Sequence, residues 1–370
     1  MDYQRPNHTA TDAELSAAES SEYLYLKLFA ALVLLAVVVA AVVFGMQISR
    51  SMQVAAPAPS AAASAHAVPT ASTQAPATGS AAAPATSAAG AAPSQAPATA
   101  TPTAFAPPAA TAIPEGPMGD VIRKGEQIFL HTGTNAKAFV GNTLNCVNCH
   151  LDAGRQANAA PMWGAYVMYP AYRGKTKSVD DFEERLRGCF MYSMNGKAPP
   201  RGDDVLVALQ AYAYWMSKGA PVGEKLPGAG FPKLDKPALK ADYARGQKVY
   251  EAQCVLCHGA NGEGQRSGDV QVFPPLWGAQ SYNWGAGMGD INNAAGFIKA
   301  NMPLSKGNSL SDQEAWDVAT YIDSQERPQD PRFTGDVAST RKQFHDSDMS
   351  MYGQTVNGKL LGALPLKNSR

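Results

Sequence analysis

The chain is short of charge and has little cysteine. Asp, Glu, Lys and Arg make up 17% of its 370 residues, with 31 basic and 31 acidic side chains, so the formal net charge is zero. No global field of either sign exists to attract nucleic acid or another strongly charged partner, and any preference for anions must be local. Large apolar side chains are almost missing from residues 52–114, which are nearly all Ala, Pro, Ser and Thr. Such a stretch has nothing to bury that would offset the entropy of ordering it, so residues 49–115 read as a disordered tether. The remaining chain, with 45% hydrophobic residues overall, is long enough for two domains of ordinary size.

Ahead of the tether, Leu28 to Met46 reads LFAALVLLAVVVAAVVFGM without a charge. A helix of about 20 such residues spans a bilayer core. Ala63-Ser64-Ala65 would suit a signal-peptidase site, but the 27 residues before the apolar run carry Asp2, Asp12, Glu14, Glu19 and Glu22. A signal peptide begins short and basic, so residues 28–48 are expected to be an uncleaved transmembrane helix behind a short cytoplasmic segment, 1–27.

The five cysteines are informative by position. RKGEQIF (123–129) resembles ARGQKVY (244–250), and each leads to one CxxCH: Cys146-Val-Asn-Cys149-His150 and Cys254-Val-Leu-Cys257-His258. Two thioethers and an adjacent imidazole are what covalent haem c requires on one short turn, and a zinc site does not call for the histidine there. Two haem c groups are expected, with Cys146, Cys149, Cys254 and Cys257 attached to them and His150 and His258 as axial iron ligands. Disulfides are then unavailable, and Cys189 is left over. Covalent haem attachment belongs outside the cytoplasm, so the haem domains are expected in the periplasm of a bacterial inner membrane.

In the second repeat Met302 lies 44 residues beyond His258, ahead of the helical stretch SDQEAWDVATYIDSQ, which is the pattern of a His/Met cytochrome c. The first repeat places Met194 at the same 44 residues beyond His150, and pairs Tyr214 with Tyr321 in the helices that follow. Spacing alone therefore nominates Met194 for haem 1 and leaves Cys189 a small buried hydrophobe. The neighbourhood of Cys189 argues otherwise. Arg185, Arg187, Arg173 and Lys197 make a cationic setting that favours thiolate, a donor that lowers the haem potential relative to Met.

CVNCHLDAG, APMWGAYVMYPAYR, RLRGCFMYSMNGK, CVLCHGANGEG, FPPLWG and SYNWGAGM together resemble the di-haem, tetrathionate-forming thiosulfate dehydrogenases, over most of residues 116–330. The repeated motifs predict an all-α fold of two tandem class I cytochrome c domains, each a short helical bundle around one haem. Residues 116–225 would be catalytic with haem 1 and residues 226–330 would carry haem 2, with a C-terminal tail at 331–370. The resemblance implies that Cys189 is the distal ligand of haem 1, with Met194 packed nearby, and that Arg185 and Arg173 hold the anionic substrate. Where some relatives have a lysine before the distal methionine this chain has Asn301, with Lys299 nearest, which favours plain His258/Met302 ligation.

The expected reaction joins two thiosulfate dianions into tetrathionate. Electrons pass from haem 1 to haem 2 and on to a periplasmic or membrane-bound acceptor, a cytochrome c or a terminal oxidase. Arginine forks suit the sulfonate oxygens and screen their repulsion. In one scheme the Cys189 sulfur leaves iron and bonds transiently to a sulfane sulfur while Met194 substitutes. The rival function is a membrane-tethered di-haem electron carrier between a quinol-oxidising complex and a terminal oxidase, distinguished by Met194 ligation. Of the other residues, His131 reads as a solvated loop histidine, Trp163, Trp277 and Trp284 as haem-packing walls, and His345 as unpartnered in a tail that wraps the second domain or frays.

Overall fold

The helices of the second half announce their own starts. Asp242, Asp290 and Ser311 stand immediately before helical runs, and each side chain accepts a backbone N–H two or three residues into the following helix. Asp181, Asp203 and Asp336 do the same elsewhere, each cap being worth about 1 kcal/mol. The first helix, α1 Pro117–Leu130, starts on a proline behind Gly116 without a side-chain cap, and the capped helices are α2 Phe182–Tyr192, α3 Asp204–Met216, α4 Tyr243–Gln253, α5 Ile291–Asn301, α6 Asp312–Asp323 and α7 Val337–Phe344. Three antiparallel two-stranded hairpins interrupt them: β1 Ala171–Arg173 with β2 Ser178–Asp180, β3 Gln265–Ser267 with β4 Val270–Phe273, and β5 Thr355–Val356 with β6 Lys359–Leu360. In this computed structural model residues 104–363, other than 225 and 269, are described, and they belong to one compact unit. The apolar run at 28–48 and nearly all of the tether lie outside them. Among the described residues no helix is long and apolar enough to cross a membrane.

The two repeats build the same helix crossing, and glycine is the reason it is tight. Gly125 on α1 lies so close to α3 that a Cβ there would stand 2.1 Å from Ala208 O and 2.8 Å from Tyr212 Cβ. Gly246 on α4 meets α6 identically, with Asp317 O at 2.0 Å and Tyr321 Cβ at 2.8 Å. This corrects the tyrosine pairing expected from spacing. The counterpart of Tyr321 is Tyr212, fully buried, whereas Tyr214 is 55% exposed and packs on Tyr166.

Each crossing organises its own core. Phe129, Phe190, Leu209 and Tyr212 are central to the first, and Tyr250, Ile298, Trp316 and Tyr321 to the second. The segment 281–288 ties the two together. Tyr282 and Ala286 belong to the first core, and Met288 packs against both. Asn142 Nδ2 donates to Ser193 O at 2.9 Å and Ser281 O at 3.1 Å, and Asn283 Nδ2 donates to Met191 O at 2.8 Å.

The tail wraps. Ile291 N donates to Met349 O, and the buried Trp284, Tyr352 and Leu361 form a third, smaller cluster. Trp284 packs against the tail, edge to face on Tyr352 at 5.6 Å. One expectation is thereby corrected. His345 is buried and well partnered, with Nε2 2.9 Å from Asp330 Oδ2, Nδ1 3.2 Å from Ser350 Oγ, and its ring stacked on Tyr352 at 4.3 Å.

Candidate functional site

Each CxxCH folds as one turn in which the histidine is locked by the first cysteine. His150 N donates to Cys146 O at 3.0 Å and His258 N to Cys254 O at 2.9 Å. In the first copy the turn is further pinned by Thr132, whose Oγ1 accepts from Cys146 N at 3.0 Å. Both imidazoles turn Nδ1 to a backbone carbonyl, Ala160 O at 2.5 Å for His150 and Pro274 O at 2.9 Å for His258. A carbonyl can only accept, so Nδ1 carries the proton and Nε2 keeps its lone pair, the arrangement of an axial ligand. Burial pushes both histidines below their ordinary pKa, with Arg185 adding to the effect at His150, which keeps them neutral.

A cavity of about 330 Å³ opens on Cys146, Cys149 and His150, and Cys189, Met194 and Arg185 line it too. Its volume falls in the range of cofactor sites, about 300–1,000 Å³. Trp163 lines it with an indole Nε1 that is buried and has no hydrogen-bond partner, a donor suited to a haem propionate. Burial pushes the Cys146 thiol up to about 12 and Cys149 up to about 11. The donor set and the orphaned indole both fit haem c, with Cys146 and Cys149 to hold it covalently and His150 to ligate iron.

Cys189 and Met194 reach the same cavity by different routes. Cys189 is on α2, one turn beyond Arg185. Met194 is in the loop after α2, buried to 3% exposure, and its backbone N donates to Cys189 O at 3.0 Å. The loop is held close at Gly196, where a Cβ would meet Phe139 O at 1.9 Å. Arg185 is held above its ordinary pKa, chiefly by the charge of Cys189 and against the cost of burial, with the Tyr169 phenol also beside it.

The other cations near Cys189 in sequence do not converge. Arg173 is exposed on β1 and does not line the cavity. Arg187 faces away, bonded to Glu184 at 2.5 Å and Pro199 O at 3.0 Å. Lys197 is exposed. Lys175 was passed over in sequence, although it lies two residues from Arg173. As a residue it is exposed, but its ammonium turns in to donate to Gly285 O and lies 4.8 Å from the centre of the Tyr192 ring. His131 is exposed and outside the cavity lining.

In the second domain Met302 follows α5 and, like Cys254 and Trp277, packs half-buried against the second core. Trp277 packs against Tyr250, tilted at 5.0 Å, and edge to face on Tyr321 at 5.9 Å. Asn301 turns away from this core to donate to Asn158 O at 3.1 Å, and Lys299 is engaged with Leu310 O at 2.7 Å and Asp312 at 3.0 Å.

The chain is similar to known proteins over this whole region. The SoxA/TsdA cytochrome c domain model matches residues 134–222, and the cytochrome c model matches residues 243–326. Thiosulfate dehydrogenase of Thiomonas intermedia (strain K12) is 62% identical over 255 residues, 69% of this chain and 81% of that one. That of Stutzerimonas stutzeri (strain A1501) is 52% identical over 257 residues, 69% of this chain and 84% of that one. Among solved structures, thiosulfate dehydrogenase (TsdBA) from Marichromatium purpuratum in its "as isolated" form aligns with a TM-score of 0.67 at 50% identity. That alignment covers 70% of this chain and 57% of the solved one. With two cytochrome c domains, two complete CxxCH sites and this extent of identity, the chain belongs to the thiosulfate dehydrogenase family and carries two covalently bound haem c groups.

Proposed function

We propose that the protein oxidises two thiosulfate dianions to tetrathionate at the first cavity and delivers the electrons through the second domain. The observation that carries this is the pairing of Arg185 with Cys189 in one cavity with His150. An electron carrier has no use for a half-buried guanidinium beside its redox centre, and the carrier reading is not favoured. Each bound haem c supplies a one-electron redox centre. Arg185 binds the sulfonate end of a thiosulfate and offsets the repulsion that a second dianion meets. His150, its Nδ1 fixed by Ala160 O, would hold the haem iron through Nε2. Cys189 would be the second protein ligand to the iron of the first site, and Met194, which lines the same cavity, could take its place. His258 and Met302 serve the second site, where a thioether favours a higher potential and hence electron exit.

The proposal extends to the cell. Residues 28–48 anchor the chain in a bacterial inner membrane, with the haem domains in the periplasm at the end of the Ala/Pro tether. The apolar run, its acidic flank and the need for extracytoplasmic haem attachment support this. The acceptor is then a periplasmic or membrane-bound cytochrome c or a terminal oxidase.

The test is product formation by the full-length holoprotein with an artificial one-electron acceptor. One tetrathionate for every two thiosulfate and two acceptor equivalents is expected. Haem reduction by a chemical reductant but none by thiosulfate would leave only a carrier.

A further inference from the structure

Beside the first cavity stands a cationic group that the reaction, as described, does not use. Lys175 occupies the connection between β1 and β2, and Arg332 follows α6 in the C-terminal segment. Both lie against the ring of Tyr192, three residues beyond Cys189. The Lys175 ammonium is 4.8 Å and the Arg332 guanidinium carbon 5.1 Å from its centre.

Their charge is only partly balanced: Asp330 pairs with Arg332, and Lys175 has no carboxylate of its own. Asp330 accepts from Arg332 Nε at 3.0 Å and Nη2 at 2.7 Å, and it is also 2.9 Å from His345 Nε2. Its capacity is therefore taken. Among the described residues Lys175 has no carboxylate within ion-pairing distance, Arg332 Nη1 has no hydrogen-bond partner, and the one Lys175 acceptor is the neutral Gly285 carbonyl. The remaining nearby cation, Arg185, answers to Cys189. Burial of the ammonium, and then the proximity of Arg332 and Arg185, push Lys175 down to about 8. An ammonium without a counter-charge, set beside a second cation that keeps a free N–H, is stabilised by an anion that arrives later.

The reaction consumes two dianions, and the cavity offers Arg185 for one. We propose that Lys175 and Arg332 form an outer anion station over Tyr192, which holds the second thiosulfate by its sulfonate oxygens next to the one bound at Arg185. This rests on the thiosulfate-oxidising reading and deepens it. It also gives a role to the tail. Residues 330–345 lie beyond the matched cytochrome c span of 243–326, yet they cross to the helix that bears Cys189.

The experiment uses full-length holoenzyme as wild type, Lys175→Gln, Lys175→Arg and Arg332→Gln. Initial rates are measured against thiosulfate, and binding of sulfate, a non-reducing dianion, by calorimetry. Loss of one charge-assisted contact predicts that Lys175→Gln raises half-saturating thiosulfate about tenfold with kcat within twofold. Sulfate binding should weaken in parallel, and Lys175→Arg should restore both. Arg332→Gln should act in the same direction; should it fail to fold, the two Lys175 variants, on an exposed hairpin turn, decide alone. Unchanged half-saturation and unchanged sulfate binding in Lys175→Gln overturn the station. A wild type that makes no tetrathionate sinks the reading of function instead, and the sulfate comparison still decides the station.

Discussion

Arg185 and Cys189 lie one helical turn apart on α2, line the same cavity, and are coupled by charge: Cys189 is the largest influence holding the Arg185 guanidinium above its ordinary pKa. The i, i+4 spacing that puts two side chains on one helix face here puts a guanidinium beside a cysteine sulfur.

Arg185→Gln is therefore expected to lower kcat/KM for thiosulfate by roughly 10- to 100-fold, the loss of about 1.5–3 kcal/mol from a charge-assisted contact. The variant should keep both haems. Steady-state kinetics with pyridine haemochrome quantification checks this, and full activity would remove Arg185 from the site.

The glycine crossings predict a stability defect without a site defect. Gly125→Ala and Gly246→Ala each force a Cβ to about the 2 Å separation from a backbone carbonyl seen at Ala208 and Asp317. Overpacking of this kind costs about 1–3 kcal/mol. Urea or thermal unfolding of the holoprotein should show that loss in each variant. Wild-type stability would mean that the helices separate freely.

At Met302, replacing the thioether by imidazole in Met302→His should lower the potential of the second haem and slow turnover, with haem reduction by thiosulfate at the first site retained. Spectroelectrochemical titration reads the potential. An unchanged value would mean that Met302 does not ligate.

Asp330 supplies a pH prediction. Burial alone would raise its carboxyl, but the hydrogen bonds from His345 and Arg332 and the Arg332 charge hold it well below the usual carboxylate range. A depressed folded pKa stabilises the native state fully above the unfolded value, about 3.9. That contribution is lost as pH falls from there toward the folded pKa. Asp330→Asn should thus cost about 3 kcal/mol at neutral pH, and the difference from wild type should shrink below pH ~4. Thermal melts across pH check it, and a difference that grew on acidification would contradict the assignment.

Lys175 makes the opposite prediction for binding. The ammonium must be charged to hold an anion, so half-saturating thiosulfate should rise as pH climbs through about 8, and Lys175→Arg should flatten that rise. The charged groups near it are Arg332, Arg185, Asp330 and Cys189.

What could be read from sequence was what local geometry determines. The CxxCH turns were legible because attachment needs both cysteines and the histidine within one turn. Arg185 and Cys189 were singled out by the cations around the odd cysteine and by the family resemblance, and the helix that sets them one turn apart emerged only in the structure. Arg173 drew attention where Lys175 reaches the site, because a hairpin decides which of two neighbouring cations turns inward. Tyr214 was matched to Tyr321 by counting, but the loop after Met194 differs by one residue from that after Met302, and the structure pairs Tyr212 with Tyr321. Three other contacts join residues distant in sequence and leave no local pattern: His345 on Asp330, Met288 between two cores, and Arg332 on Tyr192.

The central claim is that Cys189 ligates the catalytic haem. The most direct measurement is the low-temperature EPR spectrum of the oxidised holoprotein, wild type beside Cys189→Ala, with thiosulfate-dependent reduction followed on the same samples. The account predicts a thiolate-type low-spin signal that disappears in Cys189→Ala together with activity. Two histidine–methionine signals that survive the substitution, with thiosulfate oxidation intact, would contradict it.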